Sequence, residues 1–273
     1  MTIQEEHSVS GSRGPRPAAE LLVIDIGNSR IHLGLAREGK VTDSVVVEAA
    51  GLDDLPKVIE DLWSKLDASA PRASVGASVA PGVLRRVAEV VRKVTGQELL
   101  VIRDQIDLPM PVDVSNPDTV GADRVCAAAA AHAQLGQACV VADFGTAITI
   151  DCVSDDGVFL GGAILPGLQL SALSLEEHTA ALPLVEVVEP THPWGRDTRE
   201  AINNGIFYGA IGALREVVER YATEMCKWPP LVVTGGAGAL IAKHANFVDH
   251  VVPDLTLRGI ALAYHRTCGG GDV

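Results

Sequence analysis

The chain has 273 residues, of which 47% are hydrophobic and 4% aromatic, and its formal net charge is −13. This length allows one large domain or two of ordinary size, and the apolar content is typical of a well-packed globular protein. The acidic balance disfavours a partner with a phosphate backbone, and the scarcity of aromatic side chains disfavours base stacking.

Residues 1–20 are the first predicted segment, a disordered tail rich in Ser, Gly, Pro, Arg and Glu. The tail lacks the apolar stretch of a signal peptide, and no run in the chain approaches a membrane span, so we expect no membrane partner. The five cysteines form no Cys-x-x-Cys pair, and Cys139 and Cys152 lie in strand-like apolar runs. An odd number of such thiols favours a reduced, cytoplasmic protein.

The first half is predicted to read strand, turn, strand, strand, and then helices that alternate with strands. Apolar runs indicate the strands, and apolar residues at helical spacing indicate the helices. The predicted strands are 21–26, 31–36, 41–48, 73–79 and 99–102, and the predicted helices are 52–66 and 82–95. Residues 104–119 are polar and contain three prolines, so we expect them to cross between the halves.

The same order begins again after a predicted Ala-rich helix at 121–135. The predicted strands are 138–143, 148–153, 158–164, 231–234 and 248–252, and the predicted helices are 168–180, 197–227, one from 239, and 256–265. This duplicated β-β-β-α order predicts an α/β fold of two ribonuclease-H-like domains, residues 21–117 and 118–267, that face each other across a cleft.

Two short strings follow equivalent strands of the two halves, residues 25–29 (Asp-Ile-Gly-Asn-Ser) and 143–147 (Asp-Phe-Gly-Thr-Ala). An acidic residue at a strand end holds a divalent cation through its waters, and the glycine allows a tight turn beside a ligand. The Asn, Ser or Thr offers donors to phosphate oxygens. Each string alone is also an ordinary hairpin turn. Their repetition favours an ATP-cleaving cleft with a cation between the two carboxylates.

Residues 121–124 (Gly-Ala-Asp-Arg) open the Ala-rich helix. Gly121 frees backbone N–H groups at a helix N-terminus, which attracts anions. Asp123 has the chemistry of a general base for a hydroxyl, and Arg124 that of a two-pronged carboxylate ligand. Taken alone, the string is better explained as ordinary helix-terminus chemistry.

Two further glycine-rich strings are weaker signals. Residues 161–167 (Gly-Gly-Ala-Ile-Leu-Pro-Gly) indicate backbone packed against a ligand or a neighbouring strand. Residues 234–238 (Thr-Gly-Gly-Ala-Gly) lack the lysine of a Walker A loop and the spacing of a dinucleotide fingerprint. Further along, Asp197 or Thr198 is predicted to cap the long helix that follows.

Taken together and in this order, five strings resemble those of the type III pantothenate kinases. They are residues 25–29, 121–124, 143–149, 161–167 and 198–202 (Thr-Arg-Glu-Ala-Ile). The resemblance spans residues 21–264. It implies an actin-like or sugar-kinase ATPase fold of two duplicated domains. It also implies ATP-dependent phosphorylation of pantothenate, the first step of coenzyme A synthesis, by a homodimer.

The resemblance further implies a role for each matching residue. The implied ATP-binding residues are Asp25, Ile26, Gly27, Asn28, Ser29, Arg30, Ile31, His32 and Thr146. The implied pantothenate-binding residues are Val114, Gly121, Ala122, Asp123, Arg124 and Thr198. Among them, Arg124 is expected on the carboxylate, Asp123 as the base for the primary hydroxyl, and Thr198 as a contact supplied by the other subunit. The implied cations are Mg²⁺, served by Asp25 together with ATP, and a monovalent ion, K⁺ or NH₄⁺, on Asp143.

The chain departs from the family pattern at two of these positions. Val114 stands where the family commonly has a tyrosine that contacts pantothenate, and Ser29 replaces a threonine but keeps the hydroxyl. Two alternatives therefore stay open. A same-fold kinase of another small hydroxy acid fits the preference of Arg124 for an anionic acceptor. A non-catalytic regulatory homologue is favoured by Val114 alone.

Overall fold

The computed structural model describes residues 19–37 and 39–268. Residues 1–18 of the predicted disordered tail therefore lie outside the described residues, as does Glu38 in the predicted turn between the second and third strands. Within the part that is described, no helix combines the length and the apolar character needed to cross a membrane.

Five strands form the first sheet, and each arises from an apolar or β-branched run. They are β1 (Glu20–Ile26), β2 (Arg30–Arg37), β3 (Lys40–Glu48), β4 (Arg72–Ser78) and β5 (Leu99–Val101). Their spatial order is β3-β2-β1-β4-β5. Strands β1, β2 and β3 are successively antiparallel, whereas β4 lies parallel to β1, and β5 parallel to β4.

The second sheet repeats this topology. Its strands are β6 (Cys139–Phe144), β7 (Ala147–Val153), β8 (Phe159–Pro166), β9 (Leu231–Thr234) and β10 (His250–Val251). Read in reverse, its order β10-β9-β6-β7-β8 matches that of the first sheet. Strands β6, β7 and β8 are antiparallel, and β9 and β10 are parallel additions on the other side of β6. The predicted duplication is therefore confirmed.

Seven helices connect and cover the sheets in the described residues. They are α1 (Leu55–Ser64), α2 (Pro81–Thr95), α3 (Ala122–Leu135), α4 (Leu168–Glu177), α5 (Thr198–Glu224), α6 (Gly238–Ala242) and α7 (Leu255–Cys268). Asp197 caps α5 as predicted, because its carboxylate accepts a hydrogen bond from the Glu200 amide at 2.8 Å.

Several helix boundaries differ from the predicted ones, including the end of α5, which lies at Glu224 instead of the predicted 227. The helix predicted over 52–66 starts with a separate 3-10 turn, and α1 begins only at Leu55, next to Pro56, whose ring is tolerated in a first turn. Helix α4 ends three residues before the predicted position 180, where the Thr179 hydroxyl bonds back to the Leu175 carbonyl at 2.8 Å. Helix α7 continues three residues beyond the predicted 265.

Helices α3 and α7 pack between the two sheets. Helices α1 and α2 cover the outer face of the first sheet, and α5 and α6 cover the outer face of the second. The inner face of the first sheet packs against both α3 and α7, through residues such as Val23, Cys126 and Ile260. The opposite side of α3 packs on the second sheet. The first turns of both helices therefore lie near the strand ends of both halves.

Gly259 sets how closely α7 approaches α3. A Cβ at this position would overlap the backbone carbonyl of Cys126. Because backbone does not give way easily, we expect Gly259→Ala to lower the free energy of unfolding in urea by about 3 kcal/mol. Gly82→Ala in α2 is the control, since its Cβ would meet no heavy atom within 4 Å among the described residues. Equal stabilities for the two variants would contradict the close approach.

Candidate active site

A cleft of about 560 Å³ lies where the carboxyl ends of the central strands meet the first turns of α3 and α7. This volume suits a small-molecule ligand. The predicted site residues that line it are Asp25, Gly27, Asn28, Arg30, His32, Asp123, Arg124, Asp143 and Thr146. Residues from both halves of the chain thus meet in one cavity, as the duplicated motifs predict.

Three predicted ATP-binding residues do not line the cleft. Ile26 and Ile31 are buried in the core of the first sheet, because alternate residues of a strand face opposite sides. Ser29 lies exposed in the turn, where its carbonyl accepts a hydrogen bond from the Ala49 amide at 2.8 Å.

Of the predicted pantothenate contacts, Asp123 and Arg124 line the cleft, whereas the other four do not. Gly121 and Ala122 form the start of α3 behind the cleft wall. Val114 packs near Gly161 on β8, and Thr198 is exposed at the start of α5. None of these four residues lines the described cleft of this chain.

The two Asp-x-Gly turns occupy equivalent positions in the two sheets. Asp25 is the second-last residue of β1, and Asp143 is the second-last residue of β6. The Gly27 amide donates to the Arg30 carbonyl at 2.9 Å, and the Gly145 amide donates to the Ala147 carbonyl at 3.1 Å. Each turn therefore reverses the chain just past its carboxylate and faces the cleft with backbone and polar side chains.

The glycine-rich turn after β9 packs directly against Asp143. Gly235 has a φ of 86°, and a Cβ there would overlap both the Asp143 carboxylate and the Phe144 backbone. The Ala237 amide donates to the Phe144 carbonyl at 3.1 Å. Residues 234–238, a weak signal in the sequence, thus contribute to the cleft wall. Within this turn, position 235 requires glycine.

The carboxylates of the cleft are buried close to one another, which disfavours their charged forms. Burial raises the pKa of Asp25 well above its usual range, and the neighbouring Asp123 and Asp143 carboxylates raise it further. Burial, together with Asp123 and Asp151, raises the pKa of Asp143 to about 7. Burial likewise raises the pKa of Asp123, although the Arg124 amide, which donates to it at 2.9 Å, opposes the shift.

This donor set fits bound cations, because a positive charge relieves the repulsion between buried carboxylates. The described residues contain no group of three or more His, Cys, Asp or Glu side chains arranged as a metal site. A cation at Asp25 or Asp143 would therefore complete its coordination with phosphate, backbone or water oxygens, as Mg²⁺ commonly does in kinases.

Gly121 leaves space for the side chain of Asp123. A Cβ on Gly121 would overlap the Asp123 carboxylate, which lies against the first turn of α3. The reason for the glycine is therefore this close approach, because its φ of −57° is open to any residue.

Asp151 is a cleft residue that the sequence analysis missed. It lies in the middle of β7, is 2% exposed, and forms an ion pair with Arg124. Its signal in the sequence was a single acidic residue within the apolar run 148–153, opposite the glycine pair on β8.

His32 and Asp254 form a second pair that the sequence did not reveal. His32 Nε2 lies 3.0 Å from Asp254 Oδ1. This contact joins β2 to Asp254, the residue just before α7, at the cleft. Burial lowers the pKa of His32, and the Asp254 carboxylate opposes that shift. Asp254 has a φ of 59°, an uncommon conformation for a residue other than glycine.

Comparison with known proteins links this geometry to one family. The family model described as type III pantothenate kinase matches residues 21–220. The chain is 36% identical to the type III pantothenate kinase of Moorella thermoacetica, over 90% of this chain and 99% of the relative. It is 35% identical to that of Syntrophotalea carbinolica, over 91% and 100% respectively.

Solved structures show the same fold at low sequence identity. Component A of the (R)-2-hydroxyglutaryl-CoA dehydratase of Acidaminococcus fermentans superposes with a TM-score of 0.53 at 12% identity, over 92% of this chain and 98% of that one. The ethanolamine utilization protein EutJ of Carboxydothermus hydrogenoformans gives 0.52 at 18% identity, over 91% of each chain. The predicted fold of two duplicated, ribonuclease-H-like domains of the actin-like ATPase type is confirmed.

Proposed function

Because the chain belongs to the type III pantothenate kinase family, we propose that the cleft between its sheets is where pantothenate receives the γ-phosphoryl group of ATP. The enzyme is a kinase that produces 4′-phosphopantothenate for coenzyme A biosynthesis. The observation that carries this assignment is that Asp123 lines the same cleft as the two duplicated strand-end carboxylates, Asp25 and Asp143.

In this proposal the two Asp-x-Gly turns bind the phosphates of ATP. Phosphoryl transfer requires mainly alignment of the reactants and neutralisation of charge. Asn28 and Thr146 face the cleft from the two turns and provide hydrogen-bond donors. The kinase uses ATP with a divalent cation, which offsets phosphate charge. We assign Mg²⁺ to Asp25 and a monovalent cation, K⁺ or NH₄⁺, to Asp143.

Arg124 and Asp123 act on the acceptor. Arg124 binds the carboxylate of pantothenate, and Asp123 accepts the proton of its primary hydroxyl. The hydroxyl oxygen then forms a bond to the γ-phosphorus, while the bond from that phosphorus to the bridging oxygen breaks and ADP leaves with the electron pair. A carboxylate whose pKa is raised by burial is a better base near neutral pH than an exposed one.

We also propose a homodimer in which Thr198 contacts pantothenate in the partner's site. Thr198 is exposed and lies outside the cleft of its own chain. Exposed apolar side chains on nearby elements support such an interface, namely Leu160 and Ile164 on β8, Leu170 on α4 and Tyr208 on α5. Val114 replaces the usual tyrosine and lies outside the described cleft, near Gly161.

A cytoplasmic location is part of the same proposal. Cys126, Cys139 and Cys152 are buried as free thiols, and the exposed Cys226 and Cys268 are free as well. Unpaired cysteines of this kind are typical of a reducing compartment.

The test is release of ADP by the purified full-length protein with MgATP. We expect release to require pantothenate and to increase with K⁺ or NH₄⁺ relative to Na⁺. Release that requires another hydroxy acid instead would move the assignment to that acceptor. Binding of ATP without turnover on any acceptor would support a regulatory role and contradict the proposal.

A further inference from the structure

Asp151 has no part in the transfer described above, yet it is a deeply buried charge at the cleft. It lies between Ile150 and Cys152 in the middle of β7 and is 2% exposed. Burial raises the pKa of its carboxyl, and so does the nearby Asp123 carboxylate, whereas Arg124 lowers it. Because burial of a carboxylate is strongly unfavourable unless it is paired, the partner of Asp151 indicates its role.

That partner is Arg124, which Asp151 holds side-on. The Arg124 Nε donates to both carboxylate oxygens of Asp151, at 3.1 Å and 3.2 Å, and its Nη2 donates to Oδ1. A guanidinium has five N–H donors, of which two belong to Nη1. Among the hydrogen bonds of the described residues, none uses Nη1 of Arg124. One edge of the guanidinium is therefore engaged by Asp151, and the other remains available in the cleft.

The surroundings of the pair fix its orientation. The guanidinium carbon of Arg124 lies 5.6 Å from the centroid of the Phe159 ring. Gly162 is opposite Asp151 in the β7–β8 register, and a Cβ there would lie 3.0 Å from Arg124 Nη2 and overlap the Asp151 carboxylate. Thr149 lies two residues before Asp151 on the same face of β7, and its hydroxyl lowers the pKa of the Asp151 carboxyl. The arginine thus has contacts that restrict its rotation on several sides.

We propose that Asp151 is a positioning residue, which holds Arg124 so that its Nη1 edge receives the carboxylate of pantothenate. The inference rests on the proposed role of Arg124 in binding that carboxylate. Since the Arg124–Asp151 pair has no net charge, recognition depends on directed hydrogen bonds, which favour a planar carboxylate over a neutral group of similar size.

Asp151→Asn tests this role because it keeps the size of the side chain and removes its charge and one acceptor oxygen. We expect the KM for pantothenate to rise roughly 10- to 100-fold, since a hydrogen-bonded charge pair is lost, while the KM for ATP stays within about 2-fold. The second acceptor is pantothenol, in which a CH₂OH group replaces the carboxylate. Its kcat/KM should change by less than about 3-fold, so the preference for the carboxylate collapses.

The matched control is Cys152→Ala, the next residue on β7, which should leave the acceptor preference unchanged. An equal loss on both acceptors, or a rise confined to the KM for ATP, would overturn the inference. Thr149→Val is a second variant in case Asp151→Asn does not fold. It removes the hydroxyl beside Asp151 on the same face of β7 and should weaken the same preference roughly 3-fold, whereas an unchanged preference would refute the role.

Arg124→Ala separates this inference from the proposed function. If it leaves the KM for pantothenate unchanged, the proposed role of Arg124 fails, and the inference fails with it. If it raises that KM but Asp151→Asn does not, Arg124 binds the carboxylate without needing Asp151, and only the positioning role is refuted.

Discussion

Asp123→Asn should lower kcat about 10³-fold, because the general base that accepts the hydroxyl proton of pantothenate is lost. The amide keeps the size of the side chain, so the fold should persist. The KM for ATP should be unchanged or lower, since one of the carboxylates that repel the phosphates is gone. Single-turnover measurement of phosphoryl transfer, with MgATP and saturating pantothenate, isolates this step.

Asp118→Asn is the matched control for that experiment. Asp118 is an exposed aspartate in the 3-10 turn just before α3 and does not line the cleft. Its replacement should leave kcat at the wild-type value. Activity of Asp123→Asn within about 10-fold of wild type would show that another group accepts the proton or that none is needed.

Asp143→Asn should make the ligand-free protein more stable at pH 8 while it impairs catalysis. The folded-state pKa of Asp143 is about 7, against an ordinary value of 3.8. The stabilisation from its protonated form is therefore complete below about pH 4 and is lost as pH rises through 7. Asparagine does not ionise and keeps that stabilisation, on the order of 3 kcal/mol at pH 8.

Urea unfolding at pH 4 and pH 8, in buffer free of K⁺ and NH₄⁺, measures this effect. The variant and wild type should agree at pH 4 and differ at pH 8. Added K⁺ should narrow the difference at pH 8 by stabilising only the wild type, since a ligand that binds the folded state raises its stability. The exposed Asp156 in the β7–β8 turn provides the control Asp156→Asn. If Asp143→Asn is no more stable than wild type at pH 8, the inference that ionised Asp143 destabilises the folded protein is contradicted.

Repetition in the sequence is what made the strand-end carboxylates predictable. Asp25 and Asp143 lie near the ends of equivalent strands because the same pattern of strand, turn and strand occurs twice. The topology of the two sheets confirms this repetition. The pattern could not separate side chains that face the cleft from those that face the core. Ile26 and Ile31 were therefore grouped with Asp25, although the alternation of a strand directs them to the opposite face of the sheet, into the core formed with α1 and α2.

Residues whose partners are distant in the chain were not predictable. Asp254 lies beside His32 only because α7 packs against the first sheet, and no local sequence pattern predicts that packing. Asp151 appeared as one acidic residue in an apolar strand, which has no meaning until Arg124 is brought beside it. The domain division at residue 117 and the roles of all the predicted site residues, including Val114 and Thr198, stay predictions.

The position of α7 also affects how the polypeptide matures during translation. This helix, made last among the described elements, completes the apolar layer that covers Val23 and Val75 on the inner face of the first sheet. Until the ribosome has produced it, that face has only part of its covering, although the strands beneath it were made much earlier. The nascent first half therefore exposes an apolar surface while the second half is synthesised, and such surfaces are what chaperones recognise.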